Sequence, residues 1–328
     1  MFERILLPLD GSQLAEMAVP YAEYFARRLS SEILLLNTCR SDLKHYQHMH
    51  QVYLDHVANN MQRRISKARP KRILPSVRTK VLVGEPADII CDHVQSEGIN
   101  IVVMATFGGS GLKTWRLGSV ADKVVRTINV PTLLVRDKNG RPLGNKKRLI
   151  NRILAPLDGS DASKVSVPYA LELAKKSAAS ITLFGMVERA DYYSTHVSFI
   201  PYTEHMAEEY TRMDVAAEKN ARAYLISVER ELRKDGARVT HVVTLGFSPA
   251  HDILEQEDKT NADLVVMATR GSSGINHWVF GSVAEKVLRG GKLPLLLVRE
   301  AAQKRLVPNL SGRNGKHMLA SEYEVLVT

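Results

Sequence analysis

The 328-residue chain has only two cysteines, Cys39 and Cys91, and neither sits in a paired-cysteine spacing. That excludes a disulfide-rich secreted scaffold and a cysteine-based structural zinc site, and it fits a reducing compartment. Long apolar runs are also missing, since no stretch approaches the roughly 18 uninterrupted apolar residues of a membrane-spanning helix. The apolar stretch at the N-terminus is broken by Pro8 and halted by Asp10 before a secretory core could form. The expectation is a cytoplasmic protein without a membrane segment. Acidic residues are in deficit, 35 against 45 basic ones, for a formal charge of +10 that favours anionic partners through a general field. Neither a Walker A sequence nor a Gly-x-Gly-x-x-Gly after the first strand is present, which counts against a P-loop NTPase and a dinucleotide dehydrogenase.

What the chain does have is length and self-similarity. With 45% hydrophobic residues it is long enough for two ordinary domains, each able to fold on its own core. Ile5-Leu6-Leu7-Pro8-Leu9-Asp10-Gly11-Ser12 returns 148 positions later as Ile153-Leu154-Ala155-Pro156-Leu157-Asp158-Gly159-Ser160. Val102 to Thr106 and Gly118 to Ala121 return 163 positions later, as Val265 to Thr269 and Gly281 to Ala284, so the second copy carries 15 extra residues in its middle. Repetition this dense indicates a duplicated domain. The expected organisation is a first domain over 1–137, a basic linker over 138–150, a second domain over 151–300 and a polar tail over 301–328. The linker reads as a solvated connection, because its basic residues lack interleaved aromatics.

Within each copy, short unbroken apolar runs alternate with helix-period stretches, the pattern of βαβ units whose parallel strands are covered on both faces. Strands are expected near 4–9, 32–38, 76–82, 100–105 and 131–136, and again near 151–157, 180–187, 237–244, 262–268 and 294–299. The fold class is α/β: two tandem open five-stranded parallel sheets with helices on both faces. The extra residues fall around 191–201 and in a longer helix that follows.

The chemistry-bearing segment follows the fourth strand, where a glycine-rich loop containing Gly108 and Gly109 leads to Gly118-Ser119 at a helix start. The second copy repeats it with Gly271, Gly274 and Gly281-Ser282. Ligands of open parallel sheets sit beyond the carboxyl ends of the strands, and free amides at a helix N-terminus attract phosphate. Glycines let the backbone approach phosphate oxygens, and Ser119 and Ser282 add hydroxyl donors. A plainer role is open to both serines, as N-caps with an acidic residue three positions on. Asp10 and Asp158, in Asp-Gly-Ser, read equally as turn formers. The His45, His48, His50 and His56 cluster lacks a second ligand motif and reads as solvated surface. Cys91 and its neighbour His93 lie two apart on a helix and do not face each other.

These motifs, repeated twice, resemble the universal stress protein family in tandem form. Its ATP-binding members carry Gly, two residues, Gly, nine residues, then Gly-Ser or Gly-Thr. Here Gly108 and Gly118-Ser119 fit the later part, as do Gly271 and Gly281-Ser282, while Ala105 and Ala268 replace the first glycine. The resemblance implies strand order 3-2-1-4-5 and an ATP site in each copy. In the first, Pro8, Asp10, Thr38, Met104 and Val120 line the adenosine end. Pro156, Asp158, Met186, Met267 and Val283 do so in the second. Mg2+ would arrive with the nucleotide. The resemblance further implies that the last strand of each copy mediates pairing, giving an internal pseudo-dimer that itself forms a homo-oligomer. The function expected is an ATP-binding, nucleotide-responsive regulator or stress-tolerance factor rather than an efficient enzyme. The alternatives are a slow ATP hydrolase or phosphoryl-transfer enzyme, and a basic scaffold for nucleic acid or protein.

Overall fold

The computed structural model describes residues 1–40, 45–68, 75–106, 117–136, 149–190, 204–270 and 280–299. Gly108 and Gly271, most of the two glycine-rich loops, the linker up to residue 148, the 191–201 segment and the tail lie outside them.

The first copy runs β1 (Arg4–Pro8), α1 (Gln13–Glu16), α2 (Val19–Leu29), β2 (Glu32–Cys39), α3 (Gln47–Ala68), β3 (Val77–Val83), α4 (Pro86–Ser96), β4 (Ile101–Ala105), α5 (Ser119–Thr127) and β5 (Thr132–Val135). The second repeats it as β6 (Arg152–Pro156), α6 (Asp161–Lys164), α7 (Val167–Ser177), β7 (Ser180–Glu188), α8 (Glu204–Lys234), β8 (Arg238–Gly246), α9 (Pro249–Lys259), β9 (Leu264–Ala268), α10 (Ser282–Gly290) and β10 (Leu295–Val298). At 31 residues against 22 for α3, α8 takes up part of the insertion.

Every residue of β4, β5, β9 and β10 is buried, as expected of strands covered on both faces. Each copy has the order 3-2-1-4-5 with parallel neighbours. The two five-stranded units are joined edge to edge into one ten-stranded sheet, β3-β2-β1-β4-β5-β10-β9-β6-β7-β8. The seam is the antiparallel pair β5 with β10, Leu133 opposite Leu296. Both cores therefore run through the two copies: Phe2 packs between Phe25 (5.7 Å) and Tyr169 (5.8 Å) on one face. On the other face, Leu134 and Val124 share a cluster with Leu295 and Val287.

Two arginines lock the seam crosswise. Arg136, just past β5, donates to the carbonyls of Leu288 (2.6 Å) and Val287 (3.2 Å) at the C-terminus of α10. Arg299, just past β10, donates to those of Ile128 (2.9 Å) and Arg126 (3.0 Å) at the end of α5. A cation there satisfies last-turn carbonyls and complements the helix dipole. Burial lowers the Arg136 pKa to about 10, with Glu257 opposing the shift.

The last strands thus pair inside one chain, as expected of the internal pseudo-dimer, and this corrects the expectation that the same strands also join a homo-oligomer. Their hydrogen-bonding edges are consumed at the centre of the sheet, so among the described residues the outer strands are β3 and β8. Among the described residues, no helix is long and apolar enough to cross a membrane.

Candidate functional site

The strands of each copy end together at one edge, and the turn after the first strand shapes it. Gly159 has φ +85°, and the Asp158 carboxylate accepts from the Ser160 backbone N–H (3.0 Å) and hydroxyl (2.6 Å). Ser160 in turn accepts from Ser163 N (3.1 Å) as the cap of α6. The first copy repeats this with Gly11 at φ +85°, Asp10 accepting from Ser12 at 2.9 and 2.6 Å, and Ser12 accepting from Ala15 N (3.1 Å). Both aspartates thus form the turn while remaining exposed at the strand ends.

The glycine-rich loops close alike. Gly118 N donates to Thr106 O and Gly281 N to Thr269 O, each at 2.8 Å, tying the helix start to the end of the fourth strand. The cap residues are these glycines, not the serines: Ser119 and Ser282 are the first residues of α5 and α10. A glycine cap has no side chain to bond the first-turn amides, so those donors keep the character of an anion site, and both serine hydroxyls are exposed beside them.

In the second copy these elements enclose a cavity of about 480 Å³, within the roughly 300–1,000 Å³ usual for small-molecule sites. Eight of the residues singled out from the sequence line it: Pro156, Asp158, Met186, Met267, Ala268, Gly281, Ser282 and Val283. In the first copy, Pro8 ends β1, Thr38 lies in β2, Met104 and Ala105 end β4, and Gly118, Ser119 and Val120 open α5, the same places on the same elements.

The sequence reading missed three parts of the wall. Ser248, Pro249 and Ile253 come from the start of α9, which periodicity marks only as a covering helix, and Glu188 comes from the end of β7. Lys286 is the third. Its signal was available, because positions 282 and 286 are one turn apart and share a helix face.

At this lysine the copies diverge. Lys123, the counterpart of Lys286, pairs with Asp88 at 2.6 Å, and the hydrogen bond to that carboxylate raises its pKa. His251 stands where Asp88 would be in the second copy, and Ser248 replaces Glu85. The carboxylate that holds the first lysine is therefore absent beside the second.

The model of the universal stress protein family matches residues 1–136 and 150–299. The chain belongs to the universal stress protein family. It is 21% identical over 306 residues to a universal stress protein of Mycobacterium tuberculosis, covering 90% of this chain and 96% of that one. A universal stress protein of Bacillus subtilis is 28% identical over 148 residues, 42% of this chain and all of its own length. Among solved structures, a universal stress protein from Archaeoglobus fulgidus superimposes with a TM-score of 0.66 at 20% identity. That match covers 91% of this chain and 99% of the other, and it likens the two in fold.

Proposed function

We propose that this tandem universal stress protein is a cytoplasmic ATP-binding regulator that holds the nucleotide rather than turning it over efficiently. Its two modules are residues 1–137 and 151–300, separated by the 138–150 linker and followed by the 301–328 tail. The observation that carries this reading is the single cavity that joins the Asp158 turn to the uncapped N-terminus of α10.

Its residues fit a nucleotide by chemistry. Met186, Met267 and Ile253 offer apolar walls to a base, Asp158 offers a carboxylate to sugar hydroxyls, and Ser282, the α10 amides, Arg270 and Lys286 offer donors and positive charge to phosphates. Among the described residues no group of three or more acidic, histidine or cysteine side chains could hold a metal ion, so Mg2+ would be bound through the phosphates. The repeated turn and loop closure extend the reading to the first copy, with Lys123 held back by Asp88.

The test is calorimetric titration of the nucleotide-stripped full chain with ATP and Mg2+, alongside Gly118→Trp and Gly281→Trp. Two sites, each lost with its own glycine, support the reading. No heat and no competition by any nucleotide would reject it, and rapid release of ADP would replace the holding role with a hydrolase.

A further inference from the structure

The ten-stranded sheet ends in β3 and β8, and among the described residues no strand lies on the outer side of either. An outer strand presents backbone donors and acceptors that can template pairing with another segment, and folded proteins cover or charge such edges.

The two faces of β3 differ in character. On the α3 side, Val77 and Val81 join the core and the Thr79 hydroxyl donates to Asp55 at 2.8 Å. On the α4 side stand Arg78, Lys80 and Leu82. Both cations turn to Glu97, at 4.0 and 3.0 Å, yet remain 48% and 38% exposed. Arg4 also bonds the Glu97 carbonyl and pairs with Glu32 at 3.4 Å, so three cations share two carboxylates there. One side chain has already turned to the backbone of β3: Gln47 donates from Nε2 to the Val81 carbonyl at 3.2 Å.

The course of the chain decides what can reach this edge. β10 runs antiparallel to β5, so it ends at the side where the strands of the first copy begin, and there Arg299 bonds the Ile128 carbonyl. From β10 to β3 is five strand spacings, about 24 Å, whereas residues 300–321 can span about 70 Å when extended. A segment arriving from that side would run parallel to β3.

Residues 322–328, which lie outside the described residues, read Glu-Tyr-Glu-Val-Leu-Val-Thr and suit that direction. With Glu322 opposite Arg78, Glu324 falls opposite Lys80 and Leu326 opposite Leu82. On the other face Tyr323, Val325 and Val327 fall opposite Thr79, Val81 and Val83. Opposite charges and apolar pairs across neighbouring strands are the contacts that stabilise a sheet. The outer strand β8 offers no such match. A segment from the same side would begin at its carboxyl end, beside Glu188 and Asp252, and its Arg238 lies at the far end.

We propose that residues 322–328 dock on the outer edge of β3 of the same chain as an additional parallel strand. Glu322 and Glu324 meet Arg78 and Lys80, Val325 and Val327 extend the apolar face of β3, and the Leu326 N–H takes the place of Gln47 at the Val81 carbonyl. The tail thereby closes this edge of the sheet against other chains.

The test is hydrogen–deuterium exchange of the full chain read by mass spectrometry. In the parent, amides of 323–328 should exchange at least about tenfold more slowly than those of an unstructured chain. Leu326→Pro removes the donor and cannot sit in a paired strand, so it should release the tail and speed exchange in β3. Glu322→Lys with Glu324→Lys should release the tail too, and adding Arg78→Glu with Lys80→Glu should restore its protection. A parent tail that exchanges at the unstructured rate, or a tail release by Leu326→Pro that leaves β3 unchanged, overturns the proposal. Protection that fades on dilution also overturns it, because the tail would then lie on β3 of a second copy.

Discussion

Gly11 and Gly159 offer a perturbation with a built-in replicate. Both have φ +85°, and a Cβ added at either would meet nothing within 4 Å. Replacement by alanine therefore introduces no clash, and its cost is confined to holding an L-residue in left-handed backbone, about 1–2 kcal/mol. Their strands, β1 and β6, are five spacings apart in the sheet order, about 24 Å at ordinary spacing, and run in opposite directions, so the turns lie further apart still and the costs should add to within about 0.5 kcal/mol. Gly11→Ala and Gly159→Ala should lower stability equally, and the double variant by about 2–4 kcal/mol. Asparagine, which tolerates this conformation better, should cost less at both sites. The assay is urea unfolding followed by circular dichroism and tryptophan fluorescence, in which cores continuous across the seam should give one transition. Alanine variants as stable as the parent, or costs differing by more than about 1 kcal/mol between the turns, would refute an origin in backbone conformation alone.

Other consequences follow from the same geometry. Arg136→Met removes both bonds to the α10 carbonyls and should cost about 1–3 kcal/mol, because buried acceptors lose their donor; an unchanged denaturant midpoint would count against the crossed clamp. Lys286→Gln should weaken ATP roughly three- to tenfold, whereas Lys123→Gln should change first-site affinity little, since Asp88 already holds that lysine. Equal losses in calorimetry would reject the asymmetry. Burial of Tyr169 pushes its pKa up to about 12, so its protonated form is favoured in the folded state. The unfolded phenol ionises from about pH 10, so this contribution is complete below pH 10 and is lost as pH rises towards 12. Alkaline unfolding monitored with phenolate absorbance should follow that direction, and Tyr169→Phe should shift its midpoint upward.

Strand positions were legible in the sequence because burial on both faces writes itself as unbroken apolar runs: β4 and β9, Ile-Val-Val-Met-Ala and Leu-Val-Val-Met-Ala, end where expected. The site was legible where backbone geometry demands a residue type, as in Asp-Gly-Ser and the glycine that caps α5 or α10. The pairing of the last strands came from the family resemblance alone. Thr132 to Val135 and Leu295 to Val298 read as strands buried on both faces, but nothing in their composition says whether the next strand belongs to the same chain. The capping serines were misplaced by one residue for a related reason, since Gly118 and Ser119 both suit a cap and only the loop closure onto Thr106 decides between them. Wall residues such as Ser248 and Glu188 are separated in sequence from the motif, and periodicity carries no record of what a helix start faces across a cavity.

The duplication also separates what the fold needs from what each site can do. The turn φ, the closure of each glycine loop at 2.8 Å and the strand order are the same in both copies. The differences fall on side chains that partner polar groups in the first copy: Asn37 bonds the Leu9 carbonyl where the second copy has Gly185, Glu16 accepts from Tyr53 where it has Lys164, and Asp88 pairs with Lys123 where it has His251. Each exchange removes a partner that the first copy supplies to its own polar group, and the last two also remove negative charge from the second copy. The two copies are therefore one scaffold with different side chains at matching places, and function must be assigned from the groups that each copy presents rather than from the repeat.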